Sequence, residues 1–100
     1  MASVSTHVLD ASAGGPRPGV RVTLETPDGE LVAAGVTDAS GRVAALAEGL
    51  APGVYRLRWD LGGRAGFLRE AAVVVELNEN RHYHVPLLAA PACAVSYLGA

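Results

Sequence analysis

Apolar and polar residues alternate in short runs along most of the chain, and turn formers divide the runs. From Ser3 to Asp10, Val4 and Val8 fall on one face of an extended segment. Ser5, His7 and Leu9 fall on the other. Val20, Val22 and Leu24 alternate with Arg21, Thr23 and Glu25, which predicts a half-buried strand. Tyr55, Leu57, Trp59 and Leu61 alternate with Arg56, Arg58 and Asp60 in the same way. Leu31 to Thr37, Arg42 to Leu46, Ala72 to Leu77, Arg81 to Leu88 and Val95 to Leu98 complete the strand signals. Between them lie a Gly/Pro loop from Ala13 to Gly19 and the turns Pro27-Asp28-Gly29, Asp38-Ala39-Ser40-Gly41, Pro52-Gly53 and Asn78-Glu79-Asn80. Strand signals this closely spaced predict an all-β sandwich of seven to eight strands in two sheets. Pro86 cannot donate to a ladder, so it belongs at an edge, a bulge or a strand end. Gly62 to Ala72 has no clear period, and Leu68 to Ala72 reads as one helical turn or as loop.

The length changes what such a fold can hold. One hundred residues make a single domain, residues 1–100, with little room for a deep cleft of its own. A sizeable site is therefore expected to form with a second copy of the chain. No run approaches ~18 uninterrupted apolar residues, so no membrane span is expected. A net charge of −2 and a pI near 5.8 leave no basic footprint for nucleic acid. Cys93 is the sole cysteine, so no intrachain disulfide forms, and the thiol reads as a small buried hydrophobe. The N-terminus has neither the basic nor the apolar part of a signal peptide. A reducing, cytoplasmic setting is expected.

The candidate chemistry centres on His7, His82 and His84. His82 and His84 are two apart, so a strand points them to one face. Imidazole titrates near neutrality and suits proton transfer. The same three residues also have the composition of a three-histidine zinc site, and each taken alone reads first as a surface or hydrogen-bonded residue. Arg42 follows a Ser-Gly turn and can present a planar fork to a carbonyl or carboxylate, although its spacing alone reads as a solvated turn arginine. Ser5, Ser40 and Ser96 sit in no nucleophile-elbow pattern. No phosphate-binding loop is present, and the carboxylates are scattered singly. Tyr55, Trp59 and Tyr83 read as packing residues.

Four segments taken in order resemble one family: Ser5-Thr6-His7-Val8-Leu9-Asp10, Thr37-Asp38-Ala39-Ser40-Gly41-Arg42-Val43, Pro52-Gly53-Val54-Tyr55-Arg56-Leu57 and His82-Tyr83-His84-Val85-Pro86-Leu87-Leu88. Together they are similar to the transthyretin-related 5-hydroxyisourate hydrolases, over essentially the whole chain. The resemblance implies a transthyretin-like (prealbumin-like) sandwich with a short or absent helix. It implies a homotetramer, a dimer of dimers, with sites between subunits. It implies cofactor-independent, metal-free hydrolysis of the lactam of 5-hydroxyisourate in urate breakdown. His7, Arg42 and His84 match the family's catalytic positions, and Tyr97 and Ala100 fall in its substrate-binding C-terminal motif. His82 reads as structural. Leu98 stands where the family has arginine and Ala100 where it has serine, so one cationic fork and one hydroxyl are missing from the expected site. The alternative is a non-catalytic transthyretin-like module that binds a small ligand or a partner.

Overall fold

A computed structural model describes residues 1–62 and 66–99. Ten strand segments follow in order: β1 Ala2–Asp10, β2 Gly15–Pro16, β3 Arg21–Glu25, β4 Leu31–Val36, β5 Arg42–Leu50, β6 Gly53–Asp60, β7 Glu70–Leu77, β8 His82–His84, β9 Leu87–Ala89 and β10 Ala94–Ser96. One sheet runs β4-β3-β6-β7. The other is built around β1, with β5 and β2 antiparallel to it, β8 and β9 parallel to it, and β10 outside β9. The sandwich is as expected, and no helix occurs among the described residues. None is therefore long and apolar enough to cross a membrane.

The core follows the alternation. Val20, Val22 and Leu24 are buried, as are Tyr55, Leu57, Trp59 and Leu61. Val4, Val8, Leu87 and Ala89 meet them from the opposite sheet. Thr6 lies on this inward side of β1 and is 0% exposed. Its hydroxyl donates to the Val85 carbonyl at 2.7 Å and accepts from Trp59 Nε1 at 3.1 Å. An unpaired buried group there would cost about 1–3 kcal/mol, and the Trp59 bond ties β1 to β6 of the opposite sheet.

Several expectations change, and β2 at Gly15–Pro16 lies within the expected Gly/Pro loop. The strand over Arg81 to Leu88 divides into β8 and β9, because Pro86 has no N–H for the ladder. Val85 keeps the segment attached, donating its N–H to the Ser5 carbonyl at 2.9 Å. The strand expected over Arg42 to Leu46 runs on to Leu50. Its pairing with β1 shifts register between Ala2 and Val4 and again between Val4 and Thr6. Bulges of this kind break the period of two, so the alternation stops before the strand does. Cys93 is exposed rather than buried, since it lies on the turn that joins β9 to β10. Of the stretch Leu68 to Ala72, Leu68 and Arg69 lie in the loop before β7, while Glu70, Ala71 and Ala72 already belong to that strand, so neither a helical turn nor a loop describes the whole of it.

Candidate functional site

The outward face of β1 carries Ser3, Ser5 and His7. Strand pairing sets partners beside each. His7 is in register with Arg42 of antiparallel β5. Ser5 is in register with His84, and Ser3 with His82, across parallel β8. Three adjacent strands thus bring His7, Arg42, His82 and His84 onto one face, although residues 7 and 84 are far apart in sequence.

The turn before Arg42 is held by Asp38. Its Oδ1 accepts from Ser40 N at 2.9 Å, Ser40 Oγ at 2.7 Å and Arg42 N at 3.0 Å. The Ser40 hydroxyl, and then the Arg42 N–H, hold the Asp38 carboxyl below its ordinary value. Gly41 follows with φ of +79°. A side chain there is excluded for a second reason: a Cβ would lie 2.5 Å from the Val8 carbonyl oxygen. The turn also aims the Ser40 carbonyl at His7, whose Nε2–H donates to it at 2.9 Å. In neutral His7 this leaves Nδ1 as the nitrogen free to accept a proton.

His84 is half-buried. Its Nδ1 lies 2.7 Å from Ser5 Oγ. Burial first, then the positive charge of His7, Arg42 and His82, push its imidazole below the usual histidine value. It is therefore mostly neutral at pH 7. The C-terminal segment reaches the same ring. Gly99 N–H donates to the His84 carbonyl at 2.7 Å, and a Cβ on Gly99 would lie 2.8 Å from His84 Cδ2. Only glycine fits so close to the ring.

The structure does not bring every expected residue to this face. Tyr97 lines an apolar groove of about 160 Å³ with Val73, Val75, Val85 and Leu98, and makes no hydrogen bond to the histidines. Ala100 lies outside the described residues. The zinc alternative left open by the three histidines gains nothing: no set of three His, Cys, Asp or Glu side chains is placed to hold a metal ion among the described residues. The sequence marks Asp38 only as part of a turn and gives Ser3 no role, although its two-residue phase with His7 puts it on the same strand face.

A polar face built on β5, β1 and β8 of such a sandwich can be compared with known proteins. Residues 4–99 match the HIUase/Transthyretin family model. The chain belongs to the HIUase/Transthyretin family. A 5-hydroxyisourate hydrolase of Halalkalibacterium halodurans is 40% identical, over 96% of this chain and 96% of its own length. The solved 5-hydroxyisourate hydrolase of Klebsiella pneumoniae superimposes with a TM-score of 0.91 at 36% identity, covering 100% of both chains. Transthyretin from Sparus aurata superimposes with a TM-score of 0.85 at 29% identity, over 97% of this chain and 96% of its own. The family thus holds both hydrolases and transthyretins on one fold, and the site has to decide between them.

Proposed function

We propose that this chain is a 5-hydroxyisourate hydrolase that opens the substrate's lactam ring without a cofactor. The single observation behind this reading is the cluster of His7, Arg42 and His84, in register on three adjacent strands with the His84 imidazole kept neutral. In the reaction, water adds to the lactam carbonyl carbon and the ring C–N bond breaks. The leaving nitrogen then takes a proton. His84 Nε2 receives the water proton, and His7 orients the water and substrate. The Arg42 fork faces the carbonyl oxygen and favours the negative charge that develops there. No protein residue is acylated. Tyr97 and Ala100 are assigned to substrate binding, because their segment reaches the His84 ring through Gly99.

The active form in this reading is a cytoplasmic homotetramer. The cluster occupies an open sheet face rather than an enclosed cavity, so a second subunit has to complete it. Exposed Val74, Val95, Tyr97 and Leu98 supply apolar surface for association. Native mass spectrometry should then give four times the 10.2 kDa chain.

The function is tested by following the ultraviolet decay of freshly generated 5-hydroxyisourate with wild type, His7→Ala, Arg42→Ala and His84→Ala. Wild type should exceed the spontaneous rate, and each variant should lose roughly 10² or more in kcat/KM. Wild type no faster than buffer ends the hydrolase reading. A ligand-dependent rise in Tm without turnover would select the binding-module alternative.

A further inference from the structure

Ser5 Oγ lies 2.7 Å from His84 Nδ1 and 2.8 Å from His82 Nε2. Ser3 Oγ lies 2.6 Å from His82 Nδ1. Four side chains therefore form an unbroken line, Ser3–His82–Ser5–His84. It runs from the exposed His82 end to the half-buried ring of His84. Both ring nitrogens of His82 are used. His84 Nε2 is the only ring nitrogen in the line without a hydrogen-bond partner among the described residues.

Counting protons restricts this line to two arrangements. A hydroxyl gives one proton, and a neutral imidazole carries one N–H. In the first arrangement, His84 Nδ1–H donates to Ser5, Ser5 donates to His82 Nε2, and His82 Nδ1–H donates to Ser3. His84 Nε2 is then a free base. In the second, Ser3 donates to His82 Nδ1, His82 Nε2–H donates to Ser5, and Ser5 donates to His84 Nδ1. His84 Nε2 then carries the proton. The two rings always hold the same tautomer, because Ser5 has a single proton to share between them.

We propose that Ser3, Ser5 and His82 form a proton relay, through which His84 takes a proton at Nε2 and releases one from Nδ1 to solvent without becoming a cation. The proposal rests on the hydrolase reading above. As His84 Nε2 takes the water proton, the Nδ1 proton passes to Ser5. The Ser5 proton passes to His82 Nε2, the His82 Nδ1 proton to Ser3, and the Ser3 proton to bulk water. One proton enters the line and one leaves, and no net charge remains on it. The reverse shift delivers the Nε2 proton to the leaving nitrogen and draws one in from solvent. His82 acts through His84 and touches no substrate, so it is a positioning and relay residue.

The surroundings of His84 give the relay a purpose. In a Ser-His-Asp triad, a carboxylate on Nδ1 stabilises the imidazolium. Here Nδ1 faces a neutral hydroxyl. The charged or titratable groups around the ring are His7 from β1, Arg42 from β5 and His82 from β8, and the C-terminal segment meets it with the Gly99 backbone. All three side chains oppose a positive charge on His84. A histidine so placed works as a base only if it passes a proton on.

The test uses His82→Gln, which keeps a donor and an acceptor between the serines but cannot move a proton through itself. With 5-hydroxyisourate, kcat should fall about tenfold, less than the ~10²–10⁴ of losing a general base. KM should stay within about twofold. The wild-type rate plotted against solvent deuterium fraction should bow, since several protons move together, and the His82→Gln plot should be straight. Added imidazole should restore part of kcat. Wild-type kcat and a bowed plot in His82→Gln would overturn the relay. A second readout needs no substrate. Nitrogen-15 NMR of the imidazoles above pH 7 should find His82 and His84 both in the Nδ1–H tautomer, and Ser5→Ala should uncouple them. Different tautomers on the two wild-type rings would also overturn the relay. If wild type fails to hydrolyse 5-hydroxyisourate while the tautomers prove coupled, the hydrolase reading fails and the coupled line stands.

Discussion

Both sheets turn an arginine-bearing face outward, and the two faces dispose of charge in opposite ways. On β3, β6 and β7, Glu25 lies 3.5 Å from Arg56 and 3.2 Å from Arg58, and Arg58 also reaches Glu70 at 2.8 Å. These charges satisfy one another. On β5, β1 and β8, Arg42 and three histidines share a face, and among the described residues no carboxylate forms a side-chain ion pair with any of them; Asp38 meets Arg42 through the backbone N–H, with only a minor charge attraction. The first face is electrically closed. The second presents donors and a cationic fork to something the single chain does not contain. Composition treats Arg42 and Arg58 alike. What separates them is whether the neighbouring strand offers a carboxylate.

The sharpest way to break this contrast is to remove one arginine from each face. Arg42→Ala should lower kcat/KM for 5-hydroxyisourate by roughly 10² or more, as expected for a group that stabilises developing charge. Arg58→Ala should leave kcat/KM unchanged. The turn that presents Arg42 can be attacked instead. Gly41→Ala forces a Cβ against the Val8 carbonyl at positive φ and should destabilise the fold by about 2 kcal/mol or more in urea unfolding.

A pH profile probes the open face more gently. His84 is held below its ordinary value of 6.5, by burial first and then by His7, Arg42 and His82. A base works when neutral, so the acid limb of kcat/KM should fall below pH 6.5. Any residual activity of Arg42→Ala should show that limb moved upward, because one opposing charge is gone. The sign for stability follows from the same shift. Unfolded His84 binds protons before folded His84 does, so this contribution is complete above pH 6.5. It is lost as pH falls through the lowered folded value. The smallest effect belongs to the closed face. Glu70→Gln removes an exposed ion pair and should leave Tm nearly unmoved, because such pairs contribute little in water.

Legibility in the sequence followed how local the cause was. β3 and β6 alternate because one face of each is buried, and that period is written in consecutive residues. The Asp38–Gly41 turn was equally plain, since Ser-Gly after an aspartate is local chemistry. β5 was cut short because its bulges interrupt the period that identifies a strand. The division at Pro86 was foreseen as a ladder break, though not as two separate segments. The part of the site hardest to read was Ser5. Its bonds to His82 and His84 depend on parallel pairing between β1 and β8, which no local pattern encodes. His82 read as structural for the same reason, because its partners lie at the other end of the chain. The family motifs group His7, Arg42 and His84 without reference to geometry. They could not reveal that Ser5 joins two of the rings.

In the proposed function, the open face on β5, β1 and β8 is a hydrolytic centre. Stopped-flow decay of freshly generated 5-hydroxyisourate, run with wild type, Arg42→Ala and Arg58→Ala at matched concentrations, tests it most directly. Wild type and Arg58→Ala should decay the substrate together and well above the spontaneous rate, with Arg42→Ala slower by roughly 10². Equal rates for all three proteins, or a wild-type rate equal to buffer, would contradict the claim.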